Sequence, residues 1–186
     1  MKMKLWMFVM AMLVLGSASQ ARAQWAPYAM FSLGHYSGVG VGANTAGNQV
    51  GGMNALGGTF GLSDEPYHSG PIGFGFDARG IIENSANSTP YGNKMAGALI
   101  GPRLEINTLA LPFRPYAQVE LGIVGTNNGK QTNKDTHGAY QFQFGGDITI
   151  FPHVATRLEY GVGQLWTGNG TKHTLQTFGA GVVIRL

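Results

Sequence analysis

The sequence predicts an all-β fold, an eight-stranded antiparallel transmembrane β-barrel preceded by a cleaved signal peptide. Three observations carry this. Eight stretches of the 186-residue chain alternate between two phases, one phase is free of charge while the other holds nine charged side chains, and short and long connections alternate between the stretches.

Residues 1–23 stand apart from the rest. Met1-Lys2-Met3-Lys4 is followed by the apolar run Leu5 to Leu15 and then by Ala21-Arg22-Ala23, the basic, hydrophobic, small-x-small order of a secretory leader. The run is too short for a membrane helix, which needs about 20 residues. Cleavage after Ala23 leaves one domain, 24–186. Losing Lys2, Lys4 and Arg22 reduces the 12 basic residues to nine, equal to the 9 acids. The basic character therefore belongs to the leader, and nucleic acid is not an expected partner. With no cysteine in the chain, disulfides, thiolate metal sites and thiol nucleophiles are excluded.

The strands follow in order. The first, 25–36, sets Phe31 and Leu33 on the apolar phase; the second, 50–62, Leu56, Phe60 and Leu62; the third, 71–82, Ile72, Phe74 and Phe76. In the fourth, 94–106, that phase carries Ala98, Ile100, Leu104 and Ile106, and in the fifth, 114–125, Ala117, Val119, Leu121 and Ile123. The sixth, 138–150, has Tyr140, Phe142, Phe144, Ile148 and Ile150, and the seventh, 154–166, Leu158, Tyr160 and Val162. The eighth, 173–186, closes with Phe178, Ala180, Val182, Ile184 and Leu186. Successive strand side chains point to opposite faces, so each set forms one face.

The opposite face carries Asp77, Arg79, Arg103, Glu105, Glu120, Asp147, Arg157, Glu159 and Arg185, with Gln118, Gln141, Gln143 and glycines between them. A soluble sandwich would expose a loose mixture rich in lysine and glutamate. Here no strand charge on this face is a lysine, and arginine is the cation suited to fixed pairing with carboxylates in confined space. A bilayer admits only helices or closed barrels, because no backbone polar group can stay unpaired in hydrocarbon. The apolar face is thus expected to meet lipid and the charged face to fill the interior.

The connections agree with that topology. The links at 63–70, 107–113 and 151–153 are expected at one end, the periplasmic one, and the links at 37–49, 83–93, 126–137 and 167–172 at the other. The latter are rich in turn residues, as in ENSANSTPYGN and TNNGKQTNKDTH. Two aromatic girdles are predicted, Trp25, Tyr28, Phe113, Tyr116 and Phe151 at the periplasmic end and Tyr36, Tyr91, Tyr140 and Trp166 at the outer end.

In the pieces GPIGFGFDARG, GPRLEIN, RPYAQVELGIVG, FQFGGDITIFPHVATRLEYGVG and TFGAGVVIRL, behind a leader, the chain resembles the small eight-stranded outer-membrane β-barrels, OmpA-like and OmpX-like. The resemblance implies residence in the outer membrane of a Gram-negative bacterium and insertion by the outer-membrane barrel assembly machinery. The final strand, with Phe178, Ala180, Val182, Ile184 and Leu186 at alternate positions, fits the signal that this machinery reads, although the family usually ends on an aromatic residue where this chain has Leu186. The pattern runs to the last residue, so no peptidoglycan-binding domain of the OmpA kind is expected.

A barrel is a scaffold, and activity has to come from a site. The lumen of eight strands is just wide enough to be filled by side chains, so a paired arginine and carboxylate network is expected in place of a diffusion channel; a narrow gated ion path is the alternative. A lipid A deacylase is a second alternative, because His35 and Ser37 share the lipid-facing side of the first strand and resemble the His-x-Ser of those enzymes, with the histidine as base for the serine. No acid on that face is in place to orient the imidazole, and the primary reading is non-enzymatic. His68-Ser69 is read as turn chemistry, Gly38 to Gly42 as a loop without the helix or Lys-Ser/Thr pair of a phosphate loop, and His35, His137 and His173 as surface histidines without metal-ligand spacing. Cofactors are not expected. The four lysines of the mature chain, Lys94, Lys130, Lys134 and Lys172, fall in or beside the outer connections, where Glu83 and Asp135 are the acids. They are candidates for contact with lipopolysaccharide phosphates. The expected role is thus that of a monomeric barrel contributing to envelope integrity or surface interaction through its outer loops.

Overall fold

The computed structural model describes residues 25–37, 52–69, 71–85, 94–107, 112–127, 134–166 and 172–186. The predicted leader, the Gly38 to Gly42 run, Tyr91 and Lys130 lie outside the described residues.

Eight strands, β1 (Trp25–Ser37), β2 (Gly52–Ser69), β3 (Ile72–Ser85), β4 (Lys94–Ile106), β5 (Phe113–Asn127), β6 (Lys134–Phe151), β7 (Val154–Trp166) and β8 (Lys172–Ile184), pair antiparallel in chain order. β8 returns to pair with β1 and closes the barrel. The closure extends past the last strand residue, since the Leu186 amide donates to the Trp25 carbonyl at 2.9 Å.

Following the register once around defines the barrel. From Ala26 it passes through Ser63, Asp77, Gly101, Glu120, Gln141, Gly163 and Leu175 and returns to β1 at Tyr36, a shift of ten residues. Eight strands about 4.8 Å apart with that shift, at about 3.3 Å per residue, tilt by about 40° and enclose a radius of about 8 Å. Along β3 the outward apolar phase runs from Ile72 to Ile82; with the tilt it makes a wall about 25 Å tall, the height of the lipid-facing band of membrane barrels. Phe31, Phe60, Phe76, Ile100, Leu121, Ile123, Phe144 and Val182 all stand exposed on it.

Four strand ends run two or more residues past the periodic stretches. β2 continues to Ser69, so that His68 and Ser69 pair with Gly73 and Ile72 in a ladder and do not form a turn. SDEPYHSG reads as a turn because of Pro66, but the register shifts between Asp64 and Tyr67, and a bulge is where a residue without an N–H is tolerated. β3 runs on to Ser85, which places Glu83 inside the barrel and not in an outer connection. β5 and β6 extend together to the pair Asn127 and Lys134, beyond the stretch that alternates; a ladder that has left the apolar band needs no apolar face.

Candidate functional site

Among the described residues, chemistry-bearing side chains gather chiefly in the lumen. Asp77, Arg79, Arg103, Glu105, Glu120, Asp147, Arg157, Glu159 and Arg185 all point inward and are buried. Arg79 sits among three carboxylates. Its Nε lies 3.1 Å from Asp77 Oδ1 and 2.9 Å from Glu120 Oε1, while Nη1 and Nη2 donate to the two oxygens of Glu159 at 2.5 and 3.0 Å. Arg157 grips Asp147 in the same two-pronged way, at 2.8 and 2.9 Å. Asp147 is also approached by Arg185 at 2.9 Å and Arg103 at 3.4 Å, and Arg103 donates to Glu105 at 2.7 Å. Paired forks of this kind satisfy charges that would otherwise be costly to bury.

Tyrosines are built into this network. The hydroxyls of Tyr28 and Tyr116 donate to Asp77 and Glu159, each at 2.7 Å. Arg103 stacks over the Tyr116 ring at 3.6 Å and Arg157 over the Tyr28 ring at 4.3 Å. Both rings lie against cross-strand glycines: a Cβ on Gly145 would meet the Tyr116 ring, and one on Gly61 the Tyr28 ring, each at about 2.5 Å. Tyr28, Tyr116 and Tyr36 are therefore lumen residues, a correction to the girdle prediction. Trp25, Phe113, Phe151 and Trp166 do stand exposed near strand ends. Arg114 was also missed; it reaches Glu105 at 3.7 Å from the rim, its side chain 29% exposed. Phase alone could have located these tyrosines, since Tyr116 shares its parity with Gln118 and Glu120, and Glu83 shares it with Asp77 and Arg79.

Beside the arginines an amide chain links three strands, β5, β6 and β8. Gln118 donates to Glu120 at 3.0 Å and to Gln143 at 2.5 Å, Gln143 to Gln141 at 2.9 Å, and Gln141 to Thr177 at 2.5 Å. Toward the end that carries the long connections, the inward phase turns apolar. Tyr36, Ala55, Ile81, Met95, Leu99, Val124, Ala139, Leu165 and Leu175 pack there as one buried cluster, with Tyr36 donating to Glu83 at the same end. The sequence reading saw inward glycines and charges and overlooked this layer.

His35 and Ser37 are on the outward side of β1. They have separate partners: His35 Nδ1 bonds Asn54 Oδ1 at 2.7 Å, and Ser37 Oγ accepts the Thr174 amide at 2.9 Å. The imidazole is oriented after all, by an amide and not an acid. His173 donates to the Ser37 carbonyl at 2.9 Å. Lys94 and Lys172 are exposed at the loop end, and Lys134 begins β6 there. Phe178, Val182, Ile184 and Leu186 are exposed on the outward face, Ala180 partly so.

A closed barrel with an apolar wall and a charged interior defines the class: an eight-stranded transmembrane β-barrel. No protein-family model matches the sequence, and no curated protein does. Among solved structures the chain is similar to Neisserial surface protein A, with a TM-score of 0.61 and 13% identity over 87% of this chain and 97% of that one. It is also similar to Ail, the attachment invasion locus protein of Yersinia pestis, with a TM-score of 0.56 and 12% identity over 88% of this chain and 99% of that one. A second structure of Ail, in complex with the heparin analogue sucrose octasulfate, gives a TM-score of 0.54 at the same 12% identity over 88% and 99% of the two chains. At these identities the likeness is one of fold, and the fold is that of the small outer-membrane barrels.

Proposed function

We propose that the protein is a non-enzymatic barrel of the Gram-negative outer membrane, its leader removed on export, whose filled interior makes it a rigid anchor for outer loops that serve envelope integrity or surface interaction. The observation that carries this reading is the double filling of the lumen. The charged network occupies the half near the short turns, and the Leu99, Met95, Leu165 and Leu175 layer covers it toward the loops. An ion crossing would have to part fixed pairs and then enter a mostly apolar stretch, where the buried Glu83 carboxyl is already held by the Tyr36 hydroxyl, a costly transfer.

The same layout supports the short-turn end as periplasmic and the loop end as external. The three lysines of the described residues stand at the external end, suited to the phosphates of lipopolysaccharide. Surface display and attachment, which the names of the similar barrels carry, fit an anchor of this kind. Reconstitution into planar lipid bilayers tests it. The purified barrel, its folding confirmed by a mobility difference between unheated and boiled samples, should give no single-channel steps; regular ohmic steps from folded protein would replace the anchor by a pore.

A further inference from the structure

One carboxyl group of the lumen stands outside the charged network. Glu83 on β3 is buried at the loop end, where Tyr36 donates to its Oε2. A register row joins it through Gly57 to Ser32 on β1. Glycines make the room: a Cβ on Gly34 would come within 2.5 Å of Glu83 Oε2 and of the Tyr36 ring, and one on Gly57 would overlap the Ile82 carbonyl oxygen. Ser32 and Glu83 are neighbours across that gap. Ser32 Oγ and Glu83 Oε1 are both buried without a hydrogen-bond partner among the described residues.

No cation bonds Glu83 among the described residues. Apart from Tyr36, the buried cluster at this level, to which β2 through β8 all contribute, consists of Ala, Ile, Leu, Met and Val side chains. Arg79, four residues down β3, is held by Asp77, Glu120 and Glu159. His137 on β6 and His173 on β8, half-buried on the inward phase, stand two residues beyond Ala139 and Leu175 toward the rim, and His173 bonds the Ser37 carbonyl. Two hydroxyls do not offset the burial of a bare carboxylate. We propose that Glu83 is a proton-binding site, holding the neutral acid at neutral pH with the proton on Oε1 and Ser32 Oγ as its acceptor. A metal cation would need about six oxygen ligands, and the site offers one carboxyl and two hydroxyls. Once the proton leaves, the charge has to draw water into the apolar layer, so closure of the loop end depends on pH. The site needs only the closed barrel and is independent of the role proposed for the loops.

Infrared spectra of the folded barrel in lipid vesicles at neutral pH test the proposal. They should contain a carbonyl stretch of a protonated carboxyl group that Glu83→Gln abolishes. Tyr36→Phe should move the same band to higher frequency, because the carbonyl oxygen loses its hydrogen bond. Both substitutions are close in shape, so the heat-dependent mobility shift should persist, and either variant alone ties the band to this site. The band should be the same in sodium chloride and in choline chloride; one that appears only when sodium is withdrawn makes the ligand a metal cation and overturns the proposal. A neutral-pH spectrum without the band, or one that neither substitution alters, overturns it as well. At an alkaline pH where the band is gone, hydrogen exchange at the Tyr36 and Met95 amides should run about threefold or more faster than in Glu83→Gln at the same pH. Equal rates in the two proteins overturn the pH-dependent closure.

Discussion

Arg79 and Arg157 occupy the same lumen but are not equally replaceable. Arg79 is the guanidinium that bonds Asp77, Glu120 and Glu159, Arg157 standing 3.8 Å from Asp77, whereas the main partner of Arg157, Asp147, keeps Arg185 and Arg103. Arg79→Met should therefore cost about 3–5 kcal/mol, the range for stranding a buried charge, and Arg157→Met distinctly less. Urea unfolding in lipid vesicles measures both, and the reverse order would mean that these pairs do not govern stability. At this scale the inward position of the nine charged residues on the alternating stretches was legible, because parity along a strand decides the face, while Glu83 and Arg114, at strand ends, were not placed. The tyrosines were misread for a chemical reason. Their rings suit a membrane interface and their hydroxyls suit a carboxylate; their place near strand ends pointed to a girdle, whereas the parity they share with the inward side chains puts them in the lumen.

At the scale of elements, the backbone approach of β4 to β5 depends on glycines, among them Gly101 on β4 and Gly122 on β5. A Cβ on Gly101 would lie 1.7 Å from the Val119 carbonyl oxygen, against 3.5 Å from the nearest atom at Gly58. Gly101→Ala should reduce the fraction of protein that refolds to the heat-modifiable form, while Gly58→Ala should refold like the unsubstituted chain; gel mobility after dilution from urea reports both. The existence of all eight strands was legible from alternation. Their ends were not. Alternation lasts only as long as one face meets lipid, and the β2–β3 and β5–β6 hairpins continue into water, held by ladder hydrogen bonds that any sequence can make.

At the scale of the whole molecule, the exposed apolar wall distinguishes a membrane barrel from a soluble one. Phe144 is 56% exposed near the middle of β6. In a bilayer Phe144→Arg should cost about 2–4 kcal/mol, and Phe144→Leu less than about 1.5 kcal/mol. In water the arginine would be harmless at so open a position. Equilibrium unfolding of the three proteins in vesicles separates the cases, and equal midpoints for Phe144→Arg and the unsubstituted chain would refute the lipid-facing assignment.

What the sequence determined by itself was the strand count, the sidedness of each strand and the separation of charge from hydrocarbon, all consequences of a repeat of two that is read locally. Only the tertiary structure decided which side chains meet. The ten-residue shift sets the level of every residue along the barrel axis. It brings Arg79 to Glu159, 80 positions away, and it gathers Leu99, Leu165 and Leu175 into one apolar cluster toward the loop end. Parity assigns a residue to the inside or the outside. Height within the barrel depends on the register of all eight strand pairs together, a closure condition that no single strand contains.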